Sequence, residues 1–244
     1  MISKQQQKYI QSLHNKKYRT EYGEFLTEGE KGLDELLASD FEIVRLFCSE
    51  DFAAGRNTDP RVKEAVIAPP AAIAAVSTFK SNAAGIAIVK QKRPAAPQNF
   101  DKVTLILDHI QDPGNLGTII RLADWYGIRN IICSPETVEF YNPKVISSTM
   151  GSFTRVNVFY TPLPAFIRDF GLPVYGADLE GANVHHHRFE EKTGLVIGSE
   201  SHGISPEVSA LLAQKITIPR LGGAESLNAA MATAIILDNV FRGA

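Results

Sequence analysis

At 244 residues, with 44% hydrophobic and 21% charged residues, the chain is long enough for one large or two modest domains, each with its own core. A polar, lysine-containing start over residues 1–13 and the lack of any uninterrupted apolar run of transmembrane length predict a cytoplasmic protein without secretory signal or membrane span. A net charge of −2 carries no overall basic signature, yet the halves differ: residues 1–95 hold 14 Lys and Arg against 12 acids, and residues 96–244 hold 11 against 15.

In chain order, Lys4, Lys8, Lys16, Lys17 and Arg19 all precede the first acid, Glu21, with Tyr9 and Tyr18 between them. Such an arm can track a phosphate backbone, or it can be the solvated face of an N-terminal helix. Apolar runs at 25–26, 43–48, 65–67 and 85–89 then alternate with helix-like stretches at 29–37, where Leu33, Leu36 and Leu37 share a face, and at 70–76. This pattern describes a small α/β domain over residues 1–95. The proline-punctuated segment 90–98 has the composition of a linker, so the second domain is taken as 96–244.

Beyond the linker, candidate strands recur at 103–107, 130–133, 156–159, 174–177, 195–197 and 216–218. Most are continuous β-branched or leucine runs, the pattern of strands buried on both faces of a parallel sheet. Helical segments at 116–126 and 163–170 stop at Gly127 and Gly171, as helices commonly do, and a third, 227–241, is almost wholly apolar or small. Cys48 and Cys133 both lie in strand-like runs and read as reduced core thiols.

Three strand-to-helix loops carry usable chemistry, and in an open α/β sheet the carboxyl ends of the strands are where ligands sit. In the first, Asp112-Pro113-Gly114 signals a turn, Asn115 stands at the helix start, and Arg121 lies about one and a half turns in, among apolar neighbours. Asn115 as a helix cap and Arg121 as a snorkelling surface residue would also account for them. Gly114 and Gly117 are three apart with no third glycine, so the dinucleotide fingerprint of an NAD enzyme is missing. The second loop brackets Glu200 between Gly198 and Gly203, which suits either a backbone that approaches a ligand or an exposed turn. The third runs from Ile218-Pro219 through Gly222-Gly223 to Ser226-Leu227-Asn228, where capping explains one of Ser226 and Asn228 and leaves the other. Its alanine-rich helix suits tight packing, including against another subunit. The run His185-His186-His187 lacks the carboxylate or cysteine spacing of a metal site, and His109 and His202 lie near the motifs.

In order and spacing, N-x5-R (Asn115, Arg121), G-x-E-x-x-G (Gly198, Glu200, Gly203) and the IP…SLN segment resemble the three motifs of the SpoU (TrmH-type) branch of the SPOUT RNA 2′-O-ribose methyltransferases. The stretches Tyr141-Asn142-Pro143-Lys144-Val145 and Ala177-Asp178-Leu179-Glu180-Gly181 are similar to the same family. The first 95 residues resemble its ribosomal-protein-like substrate-binding domain. The resemblance implies a C-terminal trefoil-knotted α/β domain on a mostly parallel sheet, an exception to the rule against knots. It also implies S-adenosylmethionine as methyl donor, a ribose 2′-hydroxyl of a structured RNA (rRNA or tRNA) as acceptor, and a homodimer sharing its site between subunits. By position, Gly198, Ile218 and Leu227 would hold the cofactor through backbone groups, Glu200 and Asn228 would shape the pocket, and Asn115, Arg121 and Ser226 would serve the reaction. Arg220 stands where the family usually has an apolar residue. The rival from another class is a catalytically silent RNA-binding or assembly protein on the same fold.

Overall fold

Strands without polar alternation need burial on both faces, and these runs build the sheets on which everything else is hung. The computed structural model describes residues 2–54, 56, 62–79, 81–93, 95, 97 and 99–242, so Pro94, Ala96 and Gln98 of the expected linker lie outside the described residues. The chain divides into two compact units, Met1–Arg93 with Phe140–Thr154, and Pro94–Glu139 with Arg155–Ala244.

The first unit opens with α1 (Lys4–Ser12), started by a capping box in which Ser3 and Gln6 satisfy each other's backbone amides. Asn15 caps α2 (Lys16–Tyr22), which stops at Gly23 in the left-handed region, φ 63°. There follow β1 (Glu24–Glu28), α3 (Glu30–Leu37), β2 (Ile43–Cys48), α4 (Glu50–Ala54), β3 (Ala65–Ile67), α5 (Pro70–Ala74) and β4 (Gly85–Lys90). The sheet order is β1-β4-β2-β3, with β4 antiparallel to both neighbours and β3 parallel to β2. Ile10, Leu13, Leu26, Phe47, Ile73 and Ile88 form its core. Of the face predicted for α3, Leu33 and Leu36 are buried and Leu37 is half-buried.

The second unit contains β5 (Val103–Asp108), α6 (Pro113–Trp125), β6 (Asn130–Cys133), β7 (Asn157–Tyr160), α8 (Leu163–Phe170), β8 (Val174–Asn183), β9 (Thr193–Gly198), α9 (Pro206–Ser209), β10 (Gln214–Thr217) and α10 (Ala229–Phe241). Its six strands, ordered β10-β8-β9-β5-β6-β7, are parallel at every pairing. Strand β8 runs well past the expected 174–177 because its second half pairs with β10 across a register shift at Lys215/Ile216. Gly181 permits this approach: a Cβ there would lie 2.5 Å from the Lys215 carbonyl oxygen. Cys48 and Cys133 are free and buried, and burial raises the pKa of both thiols.

The packing of one segment runs across the expected division at 95/96. Residues 140–154, expected inside the second domain, pack in the first unit through aromatic burial. The helix α7 (Pro143–Ser148) and a 3-10 turn (Ser152–Thr154) lie in this segment. Tyr141 packs 4.5 Å from Phe25, and Phe153 meets Phe25 and Phe41 edge-on at 5.9 and 5.8 Å. The Tyr141 hydroxyl donates to the Lys92 carbonyl and accepts from its amide. Burial pushes the Tyr141 pKa up to about 12, with the Lys92 bond working in the opposite direction.

Candidate active site

All six parallel strands of the second unit release their chains at one edge, so the loops after β5, β9 and β10 meet. The residue that caps α6 is Asp112, whose carboxylate accepts from the Asn115 amide at 2.9 Å. Capping therefore does not explain the Asn115 side chain. Asn115 is buried, and its Nδ2 donates to Glu200 Oε1. Asn228 completes a triangle, donating from Nδ2 to Asn115 Oδ1 at 2.7 Å and to Glu200 Oε1 at 3.3 Å. Its Oδ1 accepts from the amides of Ala230 and Met231, so the same residue caps α10. Between the two polar candidates, Asn228 is the cap, and Ser226 is left exposed on the rim of a cavity.

That cavity, ≈ 600 Å³, opens beside the middle of β8 and the ends of β9 and β10 and is closed on one side by the first turns of α10. Gly198, Glu200, Ile218, Ser226 and Leu227 line it, whereas Asn115, Asn228 and Arg121 do not. Arg121 stands exposed on α6 and makes no hydrogen bond or ion pair among the described residues. The glycines of the second loop have a local cause: a Cβ at Gly198 would run into the Gly203 backbone, Gly203 has φ 67°, and Ser199 and Gly203 exchange backbone hydrogen bonds. Arg220 also lines the cavity, and its Nη1 donates to the carbonyls of Ala224 (3.1 Å) and Glu225 (3.4 Å), tying the exposed segment 220–225 to itself.

Two acids were given no role by the sequence. Asp108, buried at the end of β5, accepts from the Ser205 amide at 2.7 Å and lies 2.7 Å from His109 Nδ1, fastening the start of α9 to the central strand. Its sequence signal is a carboxylate closing an otherwise apolar strand. His109 itself has φ 58° and places Nε2 3.7 Å from Glu136. Asp178 lines the cavity and pairs with Lys215 at 2.8 Å. Burial works to raise the Asp178 pKa, but the bond from Lys215 and two backbone amides outweigh it and leave the pKa below its ordinary value. His202 lines the cavity, and His187 packs edge-on between Tyr175 and Phe189 at 4.9 and 4.7 Å. Among the described residues no group of three or more His, Cys, Asp or Glu is placed to hold a metal ion. Nor is any described helix long and apolar enough to cross a membrane.

Residues 102–238 match the SpoU rRNA methylase family, and residues 4–87 match the MRM3-like substrate binding domain. A structure from Porphyromonas gingivalis, described as a TrmH-family RNA methyltransferase, shares 35% identity over 100% of both chains, with a TM-score of 0.88. The AdoMet-bound rRNA methyltransferase of Sinorhizobium meliloti shares 27% identity over 99% of this chain and 97% of that one, with a TM-score of 0.85. In sequence, the 23S rRNA (guanosine(2553)-2′-O)-methyltransferase RlmP of Bacillus subtilis is 29% identical over 231 residues, 92% of this chain and 91% of the relative. With the three motif loops joined at one edge of a parallel sheet and the family match spanning more than half of its length, this chain belongs to the SpoU rRNA methylase family, in the SpoU branch of SPOUT.

Proposed function

We propose that the protein transfers a methyl group from S-adenosylmethionine to a ribose 2′-hydroxyl of a structured ribosomal or transfer RNA. The observation that carries this is the Asn115–Glu200–Asn228 triangle, which ties the three motif loops together beside a cavity of ≈ 600 Å³. That size suits a cofactor, and a lining that includes Asp178, Glu200 and Glu225 suits a cationic one better than a triphosphate. When bound, S-adenosylmethionine would supply a methyl group on a positively charged sulfur.

Backbone groups of Gly198, Ile218 and Leu227 would hold the cofactor, with Glu200 and Asn228 fixing the pocket wall. Asn115, Ser226 and Arg121 would face the acceptor. Holding hydroxyl and methyl in line can supply about 7–11 kcal/mol, so positioning carries most of the reaction. A guanidinium ordinarily stays protonated, which assigns Arg121 to the phosphate beside the acceptor ribose, where it polarises the hydroxyl while water takes the proton. A general base at Arg121 would instead make the single-turnover rate rise with pH in a way that Arg121→Lys changes.

The isolated position of Arg121 supports a site shared between two copies, and so do the exposed apolar side chains of Leu179, Leu221 and Leu227 at the cavity and of Met231 on α10. The homodimer is built on α10, whose helix carries Ala229, Ala230, Ala232 and Ala234. The chain end after β10, at the edge of the sheet, returns to pack α10 on α6 and β9, a course that supports the knotted topology. RNA choice belongs to the first unit, cofactor binding to the second, and the place of work is the cytoplasm, where RNA is met.

The test is methyl transfer from labelled S-adenosylmethionine into total RNA from cells lacking the protein, with 2′-O-methyl sites mapped with and without it. One ribose should gain the mark. Tight RNA binding with no transfer to any RNA would leave the silent assembly protein as the reading.

A further inference from the structure

Six described cations of the first unit are held in ion pairs. Lys31 pairs with Glu35, Lys63 with Glu42, Lys90 with Glu24, Lys92 with Asp40, Arg45 with Glu64, and Arg56 with Glu30 and Asp34. Lys4, Lys8, Lys16 and Lys17 differ: all four are exposed and make no ion pair among the described residues. Three of them occupy the first turns of α1 and α2, neither of which has an acid there. A helix disfavours cations at that end, so helix stability does not account for their placement.

The surface that carries these lysines is braced from beneath. Arg19 is buried and donates from Nη1 to the Leu13 carbonyl at 2.9 Å, fixing α2 to the end of α1. Tyr9 donates to Glu24 at 2.6 Å while its ring packs on Tyr22 at 5.2 Å, and Tyr22 stacks on Tyr18 at 6.0 Å. Four unneutralised charges are thus held on a rigid helix pair, in a chain whose net charge is −2. A polyanion is the partner that such a local excess fits.

We propose that the exposed face of α1 and α2 is the dock for the phosphate backbone of the RNA. The inference rests on the methyltransferase reading, since it names the place where that enzyme's substrate is held. Lysine acts there as a point charge on phosphate and reads no base. Binding through it is therefore salt-dependent and tolerant of sequence.

The experiment compares the full-length protein with a variant carrying Lys4→Gln, Lys8→Gln, Lys16→Gln and Lys17→Gln, using protein-free 23S ribosomal RNA across a salt series. Each lost phosphate contact should lower the log–log salt slope by roughly 0.7–0.9, about 3 for the four together, with affinity down at least about tenfold at low salt. S-adenosylmethionine affinity should be unchanged, an unaltered first denaturant transition certifies that the first unit is folded, and four Lys→Arg changes should restore the slope. A Lys31→Gln and Lys63→Gln control, removing paired cations, should leave it in place. A wild-type slope and affinity in the four-Gln variant, with cofactor binding intact, would overturn the dock. Salt-dependent RNA binding that the variant loses, in a wild type that methylates no RNA, would uphold the dock and defeat the methyltransferase reading.

Discussion

The two sheets of this protein use their loops differently. In the six-stranded parallel sheet every strand points the same way, so the turns after β5, β9 and β10 converge on one edge, and Asn115, Glu200 and Asn228 meet although they are far apart in sequence. In the four-stranded mixed sheet the turns are spread over opposite ends, and six of that unit's described cations are held in ion pairs. Parallel topology gathers chemistry, whereas the mixed sheet offers surfaces. A site and a substrate platform are what the two arrangements are respectively suited to supply.

The largest effect should come from the residue that the triangle leaves out. Arg121→Ala is expected to lower methyl transfer by at least about a hundredfold, the scale of losing one charged group at a transition state, while S-adenosylmethionine affinity by calorimetry stays within error. Equal losses of transfer and of cofactor affinity would place Arg121 with the donor and undo its assignment to the acceptor.

Much of this was legible because burial writes strongly in sequence. The runs 43–48, 65–67 and 130–133 became strands with those limits, and Leu163–Phe170 stopped at Gly171 as expected. What stayed hidden were choices made by tertiary pairing. Nothing in Val174–Asn183 says that it continues past 177, because its extension depends on β10 across a bulge. Asn115 looked like a cap until Asp112 was seen to do that work, and Asp108 reads as the last residue of a strand until its bond to Ser205 is known. The allegiance of 140–154 was unreadable for the same reason: Phe140, Tyr141 and Phe153 announce burial without naming the surface that buries them.

That segment gives the next test. Phe153 is buried against Phe25 and Phe41, so Phe153→Ala should cost about 3–5 kcal/mol, felt by the first unit. Denaturant unfolding should show a lowered first transition, with S-adenosylmethionine binding retained through it. Loss of cofactor binding in step with that transition would mean that the two units do not unfold separately. For the same reason a cut at residue 95 should aggregate, since it strips Phe140, Tyr141 and Phe153 of their partners, whereas a cut that also replaces 140–154 with a short linker should keep the cofactor site.

A smaller effect separates the two jobs of Asn228. Removing the cap with Asn228→Ala should cost about 0.5–2 kcal/mol, and Asn228→Asp should recover that stability because a carboxylate caps equally well. Aspartate, however, presents an acceptor to Asn115 Oδ1 and a second negative charge to Glu200, so the triangle should open in it. The aspartate variant is expected to melt like the wild type and to bind S-adenosylmethionine more weakly; unchanged binding would show that the triangle is dispensable to the pocket.

The smallest expected effect lies on the cavity wall and depends on pH. Burial tends to raise the Asp178 pKa, but the Lys215 bond prevails and leaves it below the ordinary 3.8. A carboxylate depressed on folding contributes stability that is present above its unfolded pKa and is lost as pH falls through the folded one. Lys215, raised by the same bond, contributes below its unfolded value near 10.5 and loses that contribution only as pH rises through its folded value. Between these limits the pair is intact, so Asp178→Asn should lower the melting temperature slightly and by a constant amount from pH 5 to pH 8. The gap should begin to close as the pH falls below about 4 and be gone below the depressed folded pKa, where the wild-type carboxylate is itself protonated. Screening makes the whole effect modest, and added salt should shrink it further. A gap that widens on acidification would show that burial, and not Lys215, governs this carboxylate, and with it the electrostatics of the wall on which a cationic cofactor would rest.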